Sequence, residues 1–215
     1  MSVSDALNER LTPAESLSVQ RNMLTVSYQK GQLIHHHDGN CLGLFHVVSG
    51  QVSVSMLSDE GREITLFRLN AGDDCVLSAA CVIHQLTFDV HVEAETDAVI
   101  NILPAHILSA LMEENVAVES YAYKLAAEHF SDAMWSLQQI LFFSVDRRIA
   151  SFLWEESARV KSATLTFTHE QIARLTGSAR EVVSRTLNRF SREGLVTLGR
   201  GCITIQNKEK LKSLI

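Results

Sequence analysis

Near the C-terminus, Arg180, Glu181, Ser184, Arg185, Asn188 and Arg189 recur at alternating steps of one and three residues. On a helix that spacing gathers them along one face. The chemistry such a face can do is recognition of a nucleic acid duplex. Arginine bonds guanine O6 and N7 as a fork and glutamate accepts from cytosine N4, each good pair discriminating by about 1–3 kcal/mol. Arg189 and Arg192, farther along, suit phosphate contacts that position a helix without reading sequence. Val182, Val183, Leu187 and Phe190 give the same segment an apolar back.

The flanking residues indicate how that helix is held. Thr168-His169-Glu170-Gln171 and Ser178-Ala179-Arg180-Glu181 both fit the Ser/Thr-x-x-Glu/Gln capping box that starts a helix. Gly177 lies between them and suits a left-handed turn. The pattern predicts a helix of about two turns ending at Gly177, then a second from Ala179 to Arg192. Gly194 ends the second helix. Val196-Thr197-Leu198 and Cys202-Ile203-Thr204-Ile205, joined through Gly199-Arg200-Gly201, predict a hairpin wing. Two helices joined by a tight glycine turn form a helix-turn-helix. The candidate DNA contacts are therefore Thr168, His169, Ser178, Arg180, Glu181, Ser184, Arg185, Asn188, Arg189 and, on the wing, Arg200.

Charge agrees with this reading. The chain of 215 residues has a net charge of −6. Residues 1–143 carry 6 Lys+Arg and 18 Asp+Glu, a net −12, whereas residues 144–215 carry 13 and 7, a net +6. A basic segment behind an acidic one is an electrostatic footprint for a polyanion.

Upstream, Met23 to Ile102 reads as short strands and turns. Val52–Leu57 and Ile64–Leu69, joined through Asp59-Glu60-Gly61-Arg62, predict a hairpin. Phe88–Glu95 alternates apolar and polar residues, and Val47-Val48-Ser49-Gly50 and Asn70-Ala71-Gly72-Asp73 are turn points. Many short strands at regular spacing indicate a small barrel or double-sheet roll. After Pro104 the pattern turns helical. From Asn115 to Phe143 there is no Gly or Pro, and Tyr123, Ala127, Phe130, Met134, Leu137 and Leu141 recur at spacings of four and three. That seam predicts a dimer interface on a helix about 43 Å long. Ser144-Val145-Asp146-Arg147 reads as a hinge, followed by a helix from Arg148 to Val160.

The apolar runs are far shorter than the roughly 18 residues that suggest a membrane span. Met1–Arg10 lacks the basic-then-apolar pattern of a secretory signal, so a cytoplasmic protein is expected. Cys41, Cys75, Cys81 and Cys202 are too few and too scattered for a disulfide scaffold.

On these residues the chain resembles the cyclic-AMP receptor protein/fumarate-nitrate reduction regulator (CRP/FNR) family, from about residue 20 onward. Val47–Val52 through Gly61-Arg62-Glu63 to Gly72-Asp73 is similar to that family's sensor roll, and Asp146-Arg147-Arg148-Ile149-Ala150 to the start of its DNA-binding domain. Thr168–Gly194 is the most specific match, to its helix-turn-helix. The resemblance implies an α+β fold in three parts. These are a cyclic-nucleotide-binding-like β-roll over residues 1–104, a dimerisation helix region over 105–143 and a winged helix-turn-helix over 144–215. It places Arg180, Glu181 and Arg185 where cyclic-AMP receptor proteins put base-reading residues, and Ser184 where the oxygen-sensing branch has its base-contacting serine. It implies a homodimer on two-fold symmetric promoter DNA, with half-sites about 34 Å apart, and RNA polymerase as a further partner.

The signal is less legible. The family's phosphate cassette opens with Gly-Glu and supplies an arginine soon after. Here it reads Gly72-Asp73-Asp74, with no Arg or Lys up to Val99. The family's base-contacting Thr-Ser pair on the dimer helix reads Ala133-Met134. Both departures argue against cAMP. The first forty residues hold no cysteine and Cys202 lies on the wing, which argues against an iron–sulfur cluster. Cys75 and Cys81 invite a disulfide, haem ligation or plain core burial, the last being the default for free cysteine. His84 and His91 are further haem candidates. A small organic effector in an apolar pocket between roll and dimer helix remains, with Gly72, Asp73, Asp74, Cys75, Cys81, His84, His91, Phe130 and Met134 as candidate lining.

Two other classes compete. A metal-dependent cupin-type enzyme would use His35 and His37 of the His35-His36-His37 run, but the expected glutamate near Cys41-Leu42 is missing, and the run reads as a solvated turn. A sensor module that binds a protein partner and no DNA is the third. Salt-dependent duplex binding separates it from the first reading.

Overall fold

Leu44 and Phe45 are neighbours on one strand and are both fully buried, on opposite faces. Their cross-strand partners repeat the pattern, Leu44 opposite Leu103 and Phe45 opposite Ile102. Because side chains alternate along a strand, one sheet separates two cores, and that sets the plan of the first part of the molecule. The computed structural model describes residues 4–35, 41–58, 63–79, 82–83 and 90–215, with only the backbone for Ser78.

The sheet carrying Leu44 is antiparallel, in the order β1 (Leu24–Tyr28), β8 (Ala98–Pro104), β3 (Gly43–Ser49) and β6 (Asp74–Cys75). A second sheet has the order β2 (Leu33–His35), β7 (His91–Ala94), β4 (Gln51–Leu57) and β5 (Glu63–Asn70). Between them lie Phe45, Val47, Cys75, Ile100 and Ile102 from the first sheet and Ile34, Val52, Val54, Leu66, Val92 and Ala94 from the second. On the other face of the first sheet, Leu44 and Leu103 join a helical layer: Leu7, Val19, Leu108, Leu111, Val118, Ala122 and Leu125. That layer comes from α1 (Asp5–Asn8), α2 (Pro13–Asn22), α3 (Ala105–Glu114) and the first half of α4 (Val116–Phe142).

The expected hairpin of Val52–Leu57 with Ile64–Leu69 is present as β4 and β5, while its turn at 59–62 lies outside the described residues. Gly50 links β3 to β4 with φ +87°, and a Cβ there would run into the Asp97 carbonyl, so only glycine fits. The expected strand Phe88–Glu95 is observed as His91–Ala94, with Phe88 and Asp89 outside the described residues. Helices α1 and α2 were not anticipated. The second had a readable signal in Thr12-Pro13-Ala14-Glu15, which forms a full capping box with Pro at the first turn.

Contacts divide the chain into two compact units, Met1–Gly61 with Leu66–Met134, and Arg62–Thr65 with Trp135–Ile215. In the second, α5 (Val145–Arg159) starts earlier than the sequence suggested. Ser144 caps it, its Oγ accepting from the Arg147 amide at 3.2 Å, so the break after α4 is shorter than the predicted four-residue hinge. Next come β9 (Thr164–Leu165), α6 (His169–Thr176), α7 (Arg180–Arg192), β10 (Val196–Gly199), β11 (Cys202–Ile205) and α8 (Lys208–Lys212). The wing strands pair in the order β10-β11-β9. Ile149, Leu153, Ile172, Val183, Leu187, Phe190, Val196 and Ile203 form the core of this unit.

Candidate functional site

The second unit displays the candidate nucleic-acid face. On α7, Val183, Thr186, Leu187 and Phe190 are buried, while Arg180, Glu181, Arg185 and Asn188 are exposed and Ser184 is half-buried. This is the division the sequence predicted. α6 is held by a complete capping box, with Thr168 Oγ accepting from the Gln171 amide at 3.1 Å and Gln171 Oε1 accepting from the Thr168 amide at 2.8 Å. It ends at Gly177 in the left-handed region, φ +59°. Between the start of α6 and the wing is a cleft of about 430 Å3, lined by Thr168, His169, Glu170, Arg180, Gly201 and Cys202 among others. Three predicted contacts, Thr168, His169 and Arg180, thus line one cleft, and exposed Arg200 stands at the wing tip beside it.

Two predicted residues are engaged elsewhere. Ser178 does not cap α7: the cap position is Ala179, with no side-chain cap bond. The Ser178 hydroxyl instead accepts from Arg148 Nη2 at 3.0 Å. The capping-box reading at 178–181 is therefore wrong, because α7 starts one residue later than that box requires and leaves Ser178 one position before the cap. Arg189 is ion-paired to Asp146 at the start of α5 and lies 3.9 Å from Glu193, so it ties the back of α7 to its own unit.

In the first unit, the residues predicted to line an effector pocket differ in exposure. Gly72 and Asp73 are exposed on the β5–β6 turn; Asp74 and Cys75 are buried. Cys81 and His84 lie outside the described residues. His91 is partly exposed, 4.0 Å from Glu93. Phe130 and Met134 are exposed on α4. Asp74 is the centre of a polar node that sequence reading missed. Its carboxylate accepts from the Ser4 and Tyr121 hydroxyls and is hydrogen-bonded to His46 Nδ1 at 2.8 Å. Its backbone carbonyl is 3.0 Å from His129 Nε2. The node joins α1, β3, β6 and α4. Burial, then the bond to Asp74, pushes the Tyr121 hydroxyl well above its usual range. His129 is 5% exposed and stacks on Phe67, centroids 4.7 Å apart. Burial pulls its imidazole below the ordinary value, against the opposing pull of the Asp74 carbonyl. Its Nδ1 has no partner among the described residues. With Nε2–H donating to the carbonyl, Nδ1 is left as a lone-pair acceptor.

Of the three readings of Cys75, the default one, plain core burial, is what is observed. Cys75 is fully buried in the roll core and, like Cys202 on the wing, is in no disulfide, whereas Cys41 is disulfide-bonded. Among the described residues no group of three or more His, Cys, Asp or Glu is placed to hold a metal ion. His35 ends β2, and His36 and His37 lie outside the described residues. No described helix is long and apolar enough to cross a membrane.

Known proteins share this arrangement. Residues 25–115 match the cyclic nucleotide-binding domain and residues 147–214 the Crp-like helix-turn-helix domain. A CRP/FNR-family transcriptional regulator from Eubacterium rectale, known as a crystal structure, is 44% identical, covers 97% of this chain and 96% of its own, and superposes with a TM-score of 0.92. The chain belongs to the CRP/FNR family. Regulatory protein HlyX of Actinobacillus pleuropneumoniae is 25% identical over 85% of this chain and 78% of its own length. The cyclic AMP receptor protein of Thermus thermophilus is 24% identical over 87% and 86%. This CRP/FNR protein is thus a transcription regulator with a helix-turn-helix DNA-binding domain behind a cyclic-nucleotide-binding-like roll.

Proposed function

We propose that this protein binds two-fold symmetric promoter duplexes as a homodimer, reading bases with Arg180, Glu181, Ser184 and Arg185, under control of a signal received in the roll. The observation that carries it is the division of α7, apolar and buried on one face, cationic and exposed on the other. The outward row of α4 supports the dimer: Tyr123, Phe130, Met134, Leu137 and Leu141 are 40–64% exposed, and Ala127 is exposed with them. RNA polymerase follows as a partner from the family resemblance alone. The test is selection of duplexes from a random pool by the full-length protein. A palindromic motif, bound with an affinity that falls steeply with salt, is the expected result. Failure to enrich any sequence overturns the assignment.

We infer that the effector is not cAMP. Asp74, inside the segment similar to cyclic nucleotide-binding domains, is buried and already hydrogen-bonded to the protein's own Ser4, Tyr121 and His46. A cyclic phosphate brought beside it would find no Arg or Lys between residues 72 and 99. Calorimetric titration with cAMP is expected to show no saturable heat. An anaerobic absorption spectrum separates haem, by its Soret band, from a colourless organic effector.

A redox input is the second reading, and the disulfide at Cys41 favours it. Disulfides in a reducing compartment are mostly transient, catalytic or sensory. Wild-type DNA affinity is expected to change on thiol reduction, and Cys41→Ser to abolish that change. Equal response in both proteins removes the reading.

A further inference from the structure

We propose that Arg148 is the positioning residue of the recognition helix, fastening the turn before α7 to the last turn of α4. Arg148 stands on α5 and is 7% exposed. Its Nη1 donates to the Ile140 carbonyl at 2.9 Å and its Nη2 donates to Ser178 Oγ at 3.0 Å. One planar fork therefore holds two elements at once.

Both ends of the strap are places where the backbone needs a partner or a fixed shape. Ile140 is among the last four residues of α4, whose carbonyls have no partner within the helix, and a cation is favoured at that end. Ser178 follows Gly177, the left-handed residue that turns α6 into α7. An apolar seat lies beside the polar strap. A Cβ on Gly177 would meet Ile140 Cδ1 and Cγ1 at 2.6 Å, so the Ile140 side chain rests directly on the turn. The same residue, Ile140, is thus held to the turn by its backbone through Arg148 and by its side chain through Gly177. α7 has no side-chain cap of its own, since Ala179 stands at the cap position, which leaves the Ser178–Arg148 bond as the side-chain tie at its start. The direction of α7 is consequently set against the end of α4, and a displacement of that end is passed to the base-reading face. Lysine cannot replace the fork, having a single ammonium where two separated donors are needed.

The proposal rests on α7 being the recognition helix, and one arm of its test is independent of DNA. Full-length Arg148→Lys keeps the charge and loses the fork. Amide exchange is followed at Val182 and Val183, which bond the Ala179 carbonyl in the first turn of α7. In DNA-free protein, exchange there is expected to rise about tenfold while wing amides keep their rates. The ratio of affinities for the enriched duplex and for a scrambled one is expected to fall about tenfold, with affinity for the scrambled duplex unchanged because Arg180 and Arg185 remain. Unchanged exchange at both amides overturns the proposal. So does a uniform rise across the unit, since Arg148 would then only support folding. If the lysine variant does not fold, Ser178→Ala keeps Arg148 and its bond to Ile140 and is read by the same exchange measurement, with the same expected direction. If no duplex is enriched, the DNA reading fails while exchange still decides the joint.

Discussion

Arg185 and His129 show two ways a single side chain can matter here. Arg185 is exposed on α7 and makes none of the strong internal bonds that hold Arg148 or Arg189. Arg185→Ala is expected to cost about 1–3 kcal/mol of specific affinity and to relax discrimination at one base position, leaving thermal stability and dimer unchanged. Arg200→Ala, on the wing, is expected to weaken all duplexes alike and to lower the salt slope by about one. His129 acts on stability instead. Its folded-state imidazole titrates below the ordinary 6.5 because burial disfavours the charged form. Between the folded and unfolded values the unfolded chain binds more protons, so stability rises with pH in that window. The contribution is complete above about pH 6.5 and is lost as pH falls from there toward the folded value. Thermal unfolding between pH 8 and 5 is expected to show this loss in wild type and a flatter profile in His129→Gln. Asp74 was named from the sequence as pocket lining, but neither its role as the centre of a node nor His129 was legible, since each takes its character from residues distant in the chain, Ser4, His46, Phe67 and Tyr121. Ser178 misled for the same reason: its capping pattern is local, and its actual partner is not.

At the scale of elements the sequence was a better guide, because periodicity and caps act over a few residues. α4 is the clearest case. Val118, Ala122, Leu125 and His129 form its inward row, and the predicted seam from Tyr123 to Leu141 is left outward. The outward row was visible as a seam, whereas the inward row was not read from the sequence. Replacing Phe130 and Leu137 with Glu is expected to yield monomers by analytical ultracentrifugation, with the far-ultraviolet spectrum preserved. The turn between α6 and α7 was equally readable from Gly177. Gly177→Ala must adopt a disfavoured φ and also displace Ile140, and is expected to lower stability by more than about 1 kcal/mol in chemical denaturation. Thr168→Ala, which removes half of a formed capping box, is expected to cost about 1 kcal/mol. What failed at this scale were ends: α5 began three residues early, and α7 started without its cap.

For the whole molecule, charge division is the dominant feature. An acidic first part and a basic second part, net −12 and +6, put the attraction for a duplex in the second part. Association rate is expected to fall steeply as salt rises from low to physiological strength, more steeply than the dissociation rate changes, as stopped-flow fluorescence would show. The outward row of α4 has a consequence of another kind. In the proposed homodimer, that row is what a second copy covers. Pairing by mass action makes the amount of protein itself a variable. Halving the gene dose would remove more than half of the paired form when the pool sits near the dissociation constant. The regulator would then read its own abundance as well as its signal.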